Sequence, residues 1–83
     1  MKIKKNIALS ESGFIFDPAS GESFSLNNTG ADIVDLLKKG SSIEEIRSFM
    51  LNKYEAEEHE IEKEIFDFVN ILRQYQLIED EDE

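Results

Sequence analysis

Gly13-Phe14-Ile15-Phe16-Asp17-Pro18-Ala19-Ser20-Gly21-Glu22-Ser23-Phe24-Ser25-Leu26-Asn27-Asn28-Thr29-Gly30 is the stretch that decides the fold. Phe14 and Phe16 alternate with Gly13 and Ile15, and Phe24 and Leu26 alternate with Ser23 and Ser25. Two runs of period two around Asp17-Pro18-Ala19-Ser20-Gly21 predict a β-hairpin with a five-residue loop. Pro18 presets the turn, and Gly21 supplies a positive φ where the loop closes. Asn27 or Asn28 then caps a helix, because an Asx side chain accepts from the N–H groups that a helix start leaves unpaired. No residue in this stretch has the makings of a catalyst.

Upstream, Ile3, Ile7 and Leu9 are spaced like one or two short extended segments, and Lys2, Lys4 and Lys5 make that region basic. Downstream the period changes to that of helices. Ile33, Leu36 and Leu37 form a first apolar stripe, with Asp32 and Asp35 in the front half and Lys38 and Lys39 at the back, as the helix dipole prefers. Gly40 is a natural stop. Ser42-Ile43-Glu44-Glu45 is a capping box opening a second helix, with Ile43, Ile46, Phe49 and Met50 at helical spacing and Asn52-Lys53-Tyr54 closing it. A third helix is expected from near Glu57 to about Tyr75, with Ile61, Ile65, Phe68, Val69 and Leu72 on one face. Leu77 and Ile78 look like a final apolar peg against the sheet. The fold class is therefore α+β and winged-helix-like, a three-stranded antiparallel sheet followed by three helices. Residues 1–78 make a single domain, and the acidic residues 79–83 are expected to be a disordered tail.

The 83 residues suffice for one modest core, since a chain of this size buries roughly 60–65% of its unfolded surface. There is no cysteine, which excludes disulfides and thiolate metal sites. The segment Met1 to Ile7 is charged but has no apolar run behind it, so it does not read as a signal peptide. No stretch approaches the ~20 apolar residues of a membrane span. A soluble, cytoplasmic protein is expected. The net charge of −10, from 19 acidic and 9 basic residues, disfavours nucleic-acid and membrane-surface roles.

Groups for catalysis are scarce. The lone His59 sits among Glu57, Glu58 and Glu60, where a solvated helix start is the ordinary reading, and a metal site needs three or more placed ligands. The four glycines are isolated, so there is no phosphate loop. A helix-turn-helix around Gly40-Ser41 would offer DNA only Arg47 and Lys53 against Glu44 and Glu45. An acyl-carrier role would need an Asp-Ser-Leu helix start, and the one Ser-Leu pair, Ser25-Leu26, lies in a predicted strand. No cofactor, no metal and no enzymatic activity are expected. What remains is the sheet edge. The strand from Glu22 to Leu26 has no Pro or Lys to block an added strand, so a peptide can extend the sheet there. A second copy of the chain can pair with the same edge.

The residues also resemble the PqqD-like family, the precursor-peptide recognition element of ribosomally made, post-translationally modified peptide pathways. The resemblance rests on Gly13-Phe14-Ile15-Phe16-Asp17-Pro18, Leu26-Asn27-Asn28-Thr29-Gly30, Ile33-x-x-Leu36-Leu37 and Gly40-x-Ser42-Ile43-Glu44-Glu45-Ile46. It continues through Tyr54, Glu64-Ile65-x-x-Phe68-Val69-x-x-Leu72 and Leu77-Ile78-Glu79. It implies a winged-helix fold whose third strand and third helix hold the leader segment of a precursor peptide as an extra strand. The leader is then presented to a modifying enzyme, in the namesake pathway a radical SAM maturase acting on the precursor of pyrroloquinoline quinone. Carried onto this chain, one wall of the groove would be Glu22, Ser23, Phe24, Ser25 and Leu26. The other would be Phe66, Val69, Asn70 and Arg73. Phe66 lies off the main stripe and fits either a core edge or a pocket wall. The family usually has Gly before the closing Leu-Ile; this chain has Gln76, which predicts a different end to the last helix. The alternative reading is a helix-turn-helix-like regulator or adaptor with a protein partner.

Overall fold

The computed structural model describes residues 1–79. Its order is β1 (Lys2–Ile3), β2 (Ala8–Leu9), β3 (Phe14–Asp17), β4 (Glu22–Ser25), α1 (Asn28–Lys38), α2 (Ile43–Lys53), α3 (Glu58–Gln74) and β5 (Ile78–Glu79). The antiparallel sheet has the order β2-β3-β4, so β4 is an edge. The first strand does not join it. β1 pairs instead with β5, Lys2 opposite Glu79 and Ile3 opposite Ile78, a second small sheet that clasps the ends of the described chain together. Lys4 N–H donates to the Leu77 carbonyl at 3.1 Å beside it. Glu79 is therefore part of the fold, while the rest of the expected acidic tail lies outside the described residues.

The hairpin forms with a shorter loop than expected. Asp17 pairs with Glu22, leaving Pro18 to Gly21 as the connection. Asp17 is a turn residue as well as a strand end: its carboxylate accepts from Ala19 N–H at 3.0 Å and Ser20 Oγ at 3.1 Å. The aromatic alternation marks the strand but not its inner face. Ile15 is the buried residue of β3 and pairs with Phe24, whereas Phe14 and Phe16 face out.

Each helix starts and stops where local chemistry dictates. Asn27 caps α1, its Oδ1 accepting from Gly30 N–H at 2.8 Å. Ser42 and Glu45 close the capping box of α2 with bonds of 3.1 and 2.8 Å. Glu60 reaches back to Glu57 N–H at 3.3 Å at the head of α3. The three helices bury Ile33, Val34 and Leu37, Ile46 and Met50, and Ile61, Ile65, Val69 and Leu72 against Ile3, Ile7, Ile15, Leu77 and Ile78. Of the second helix's expected stripe, Ile43 and Phe49 stay about two-fifths exposed. A polar tie joins the middle of α1 to the end of α2. Tyr54 hydroxyl donates to Asp32 at 2.5 Å, and Lys53 Nζ to the same carboxylate at 2.9 Å.

Candidate functional site

Among the described residues β4 pairs with β3 alone, which leaves its other side as the sheet edge. Leu26 N–H donates to the Gly13 carbonyl at 2.8 Å, which makes Gly13 and Leu26 a hydrogen-bonded pair continuing the β3–β4 register. Bonded and non-bonded pairs alternate in an antiparallel ladder. The N–H and C=O of Ser23 and Ser25 therefore point away from β3, toward whatever lies beside the edge. No proline, lysine or bulge guards this side among the described residues of the strand.

Beside the edge runs a groove of about 240 Å³ between β4 and α3, floored by Ile15, Leu72 and Leu77. Its strand wall is Phe24, Ser25 and Leu26, and its helix wall is Phe68, Ile71 and Tyr75. The Phe24 and Tyr75 rings meet at 4.8 Å between centroids in a tilted contact that closes one end of the apolar part. Past Tyr75 the trough opens into a polar recess of about 440 Å³ holding Lys4, Asp17, Glu22 and Gln74. The other end is set by a close approach of two helices. A Cβ added at Gly30 would stand 3.1 Å from the Phe68 ring and 3.1 Å from Asn27 Oδ1. Glycine at this position lets α1 begin against the aromatic ring that walls the groove.

The structure separates the expected site residues into two groups. Glu22, Ser23, Phe24 and Ser25 make up the edge strand β4 and Leu26 follows it, with Phe24, Ser25 and Leu26 in the strand wall of the groove. Phe66, Val69 and Arg73 do not face them. They line a different cavity of about 340 Å³ with Met1, Ile43, Arg47 and Ile65. Asn70 is exposed and lines neither. The reason is helical phase. Phe66, Val69, Asn70 and Arg73 make one stripe and Phe68, Ile71, Leu72 and Tyr75 another, displaced by two residues or about 200° around the axis. Phe66, 65% exposed, is thus a cavity wall on the far side of α3 and not a core edge. The Phe68 to Tyr75 stripe was visible at i, i+3, i+4 and i+7 but merges with the core stripe through Phe68 and Leu72.

Elsewhere, charge is arranged for packing. Arg47 binds Glu58 and also lies 3.5 Å from Glu62. His59 is three-quarters exposed with its Nδ1 3.3 Å from Glu57. Among the described residues no three His, Asp or Glu side chains converge on a possible metal position. No helix there is long and apolar enough to cross a membrane.

Two solved structures share this architecture. TbiB1 in complex with the TbiA(beta) leader peptide aligns over 100% of both chains with a TM-score of 0.87 at 26% identity. Lasso peptide synthetase B1 complexed with the leader peptide aligns over 89% of this chain and 91% of its own, with a TM-score of 0.76 at 31% identity. No curated protein matches the chain. The sequence profile of coenzyme PQQ synthesis protein D (PqqD) matches residues 13–78, from the residue that precedes β3 to the first residue of β5, and the chain belongs to that family.

Proposed function

We propose that this chain is a non-catalytic carrier of a ribosomally made precursor peptide. The leader segment adds to the β4 edge as a further strand, places alternate apolar side chains in the groove against α3, and is so presented to a modifying enzyme. The observation that carries this reading is the open edge itself. Ser23 and Ser25 offer outward N–H and C=O groups directly above an apolar trough, in a chain similar to two proteins solved with leader peptides. Strand addition draws affinity from the backbone and selectivity from pockets for every second side chain. The modifying enzyme belongs to a pyrroloquinoline-quinone-type or related pathway, a radical SAM maturase being one such class, and the exchange takes place in the cytoplasm. The edge is equally open to a second copy, so a self-paired dimer would compete with the leader.

The regulator reading is weaker for a physical reason. A recognition helix must have cations to spend on its partner, and α2 has committed both of its own. Arg47 is bound to Glu58, and Lys53 to Asp32.

The test uses peptides enriched from a display library of random linear sequences, titrated into the isotope-labelled chain. Amide shifts are expected on residues 22–26 and on Phe68, Ile71 and Tyr75. Ser25→Pro removes an outward donor that β3 does not use, so the fold persists while affinity falls roughly tenfold or more. Phe66→Ala, on the far side of α3, leaves affinity unchanged. The reverse pattern, with Ser25→Pro binding normally and Phe66→Ala not, would move the site to the α2–α3 cavity and overturn strand addition.

A further inference from the structure

The outer face of the three-stranded sheet is aromatic and bare. Phe14 and Phe16 are 51% and 44% exposed there, on the side of β3 away from Ile15 and the core. Their partners on β4 are Ser25 and Ser23, and the β2 residue opposite Phe16 is Ala8. Every cross-strand neighbour is small, and none can cover a phenyl ring. On the β4 side cover would have to come from the next strand, and β4 is the edge.

We propose that the guest strand itself completes this face. The leader carries lysine or arginine at the alternate positions opposite Ser23 and Ser25, and these side chains lie across the two serines onto the Phe14 and Phe16 rings. The inference rests on the strand-addition reading above and extends it to the chemistry of the leader. Because Ser23 and Ser25 turn their N–H and C=O outward, a guest residue pairs directly with each. Its side chain emerges on the same face as the serine's. The guest backbone stands two strand spacings, roughly 10 Å, from β3. A short side chain stops over the serine. An extended lysine or arginine stem spans it, shields it with methylenes and carries its cation to the ring.

Two features favour a cation over another long side chain. The face of a phenyl ring is negative and attracts ammonium or guanidinium groups. The chain's net charge of −10 sets the same preference at longer range. The apolar trough, by contrast, has no charged residue in its walls. The two faces of the leader are thus read differently, apolar toward α3 and basic toward Phe14 and Phe16.

Display selection on the intact chain followed by titration of synthetic hits separates the two levels. Hits that shift the amides of residues 22–26 are expected to carry Lys or Arg at alternate positions. Replacing one of these by norleucine keeps the stem and removes the charge, and should weaken binding about two- to fivefold. The double variant Phe14→Ala, Phe16→Ala keeps the fold, since both rings face out, and abolishes the preference for lysine over norleucine. Equal affinity of lysine and norleucine peptides for the native chain, or an unchanged preference in the double variant, overturns the inference and leaves strand addition standing. If no selected peptide moves the β4 amides, strand addition fails and this inference with it.

Discussion

Gln76 stands just after α3, where the resemblance drawn from the sequence implied a glycine. It adopts φ 60°, the left-handed region, among residues that are otherwise glycine when φ is positive. The hydrogen bonds explain why. Leu77 N–H donates to the Leu72 carbonyl at 2.9 Å and Gln76 N–H to Arg73 at 3.0 Å. These are the paired 6→1 and 5→2 bonds of a Schellman turn. Gly40 ends α1 in the same way, with Ser41 bonded to Leu36 and Gly40 to Leu37 at 3.0 Å each. The expectation that α3 would end differently without glycine is thus corrected: the turn is made, and Gln76 bears the strain. Closing the turn is what aims Leu77 into the core and Ile78 at β1. A left-handed conformation costs an L-residue about 1–2 kcal/mol, partly offset by the larger unfolded-state entropy of glycine. Gln76→Gly should therefore stabilise the fold by about 1 kcal/mol in urea unfolding, with no change in peptide affinity.

At the scale of elements, the helices were the most legible parts because their ends are written in local chemistry. Asn27, the Ser42/Glu45 box and Gly40 each act within a few residues, and each does what its neighbours in sequence require. The faces of the strands were not legible in this way. Phe14 and Phe16 carry the strongest hydrophobic signal in β3, yet Ile15 takes the core, because the inner face is chosen by what packs beneath it and not by the strand. The helix residues beside β4 differ from those named from the sequence for a related cause: three apolar stripes share α3, and only the position of β4 tells which of them faces the edge. β1 and β5 are too short to show a period at all. The Asp32–Tyr54–Lys53 tie between α1 and α2 was likewise invisible, and it makes a pH-dependent prediction. Donation to Asp32 raises the Tyr54 phenol above its ordinary 10.0 and the Lys53 ammonium above its ordinary 10.5. Folded values above unfolded ones mean that the stabilisation is complete below about pH 10 and is lost as pH climbs through the raised values. Asp32→Asn should return the Tyr54 titration, followed by its ring carbon resonance, toward 10.0 and flatten the alkaline decline in stability. An unmoved Tyr54 midpoint would mean that the carboxylate is not its acceptor in solution.

The whole molecule divides its surfaces around α3. The β4 groove lies on one side, and the cavity of Ile43, Phe66 and Val69, rimmed by both arginines of the chain, lies about 200° away around the helix axis. A guest strand on one side therefore leaves the other uncovered, which is the geometry a carrier needs if it is to hold a peptide and meet an enzyme at once. The charge of the molecule acts on a different stage of the encounter. A net charge of −10 would attract the basic leader proposed above over distances comparable to the Debye length, about 10 Å at 0.1 M salt, whereas bonds made by strand addition at the edge would be backbone pairs and apolar contacts that salt scarcely screens. Raising ionic strength should then slow association with a lysine-containing selected peptide by roughly tenfold while leaving dissociation nearly unchanged. Stopped-flow fluorescence resolves the two rates. Salt dependence confined to dissociation would instead place the charges in ion pairs within the complex, contrary to a guest held by its backbone and by rings.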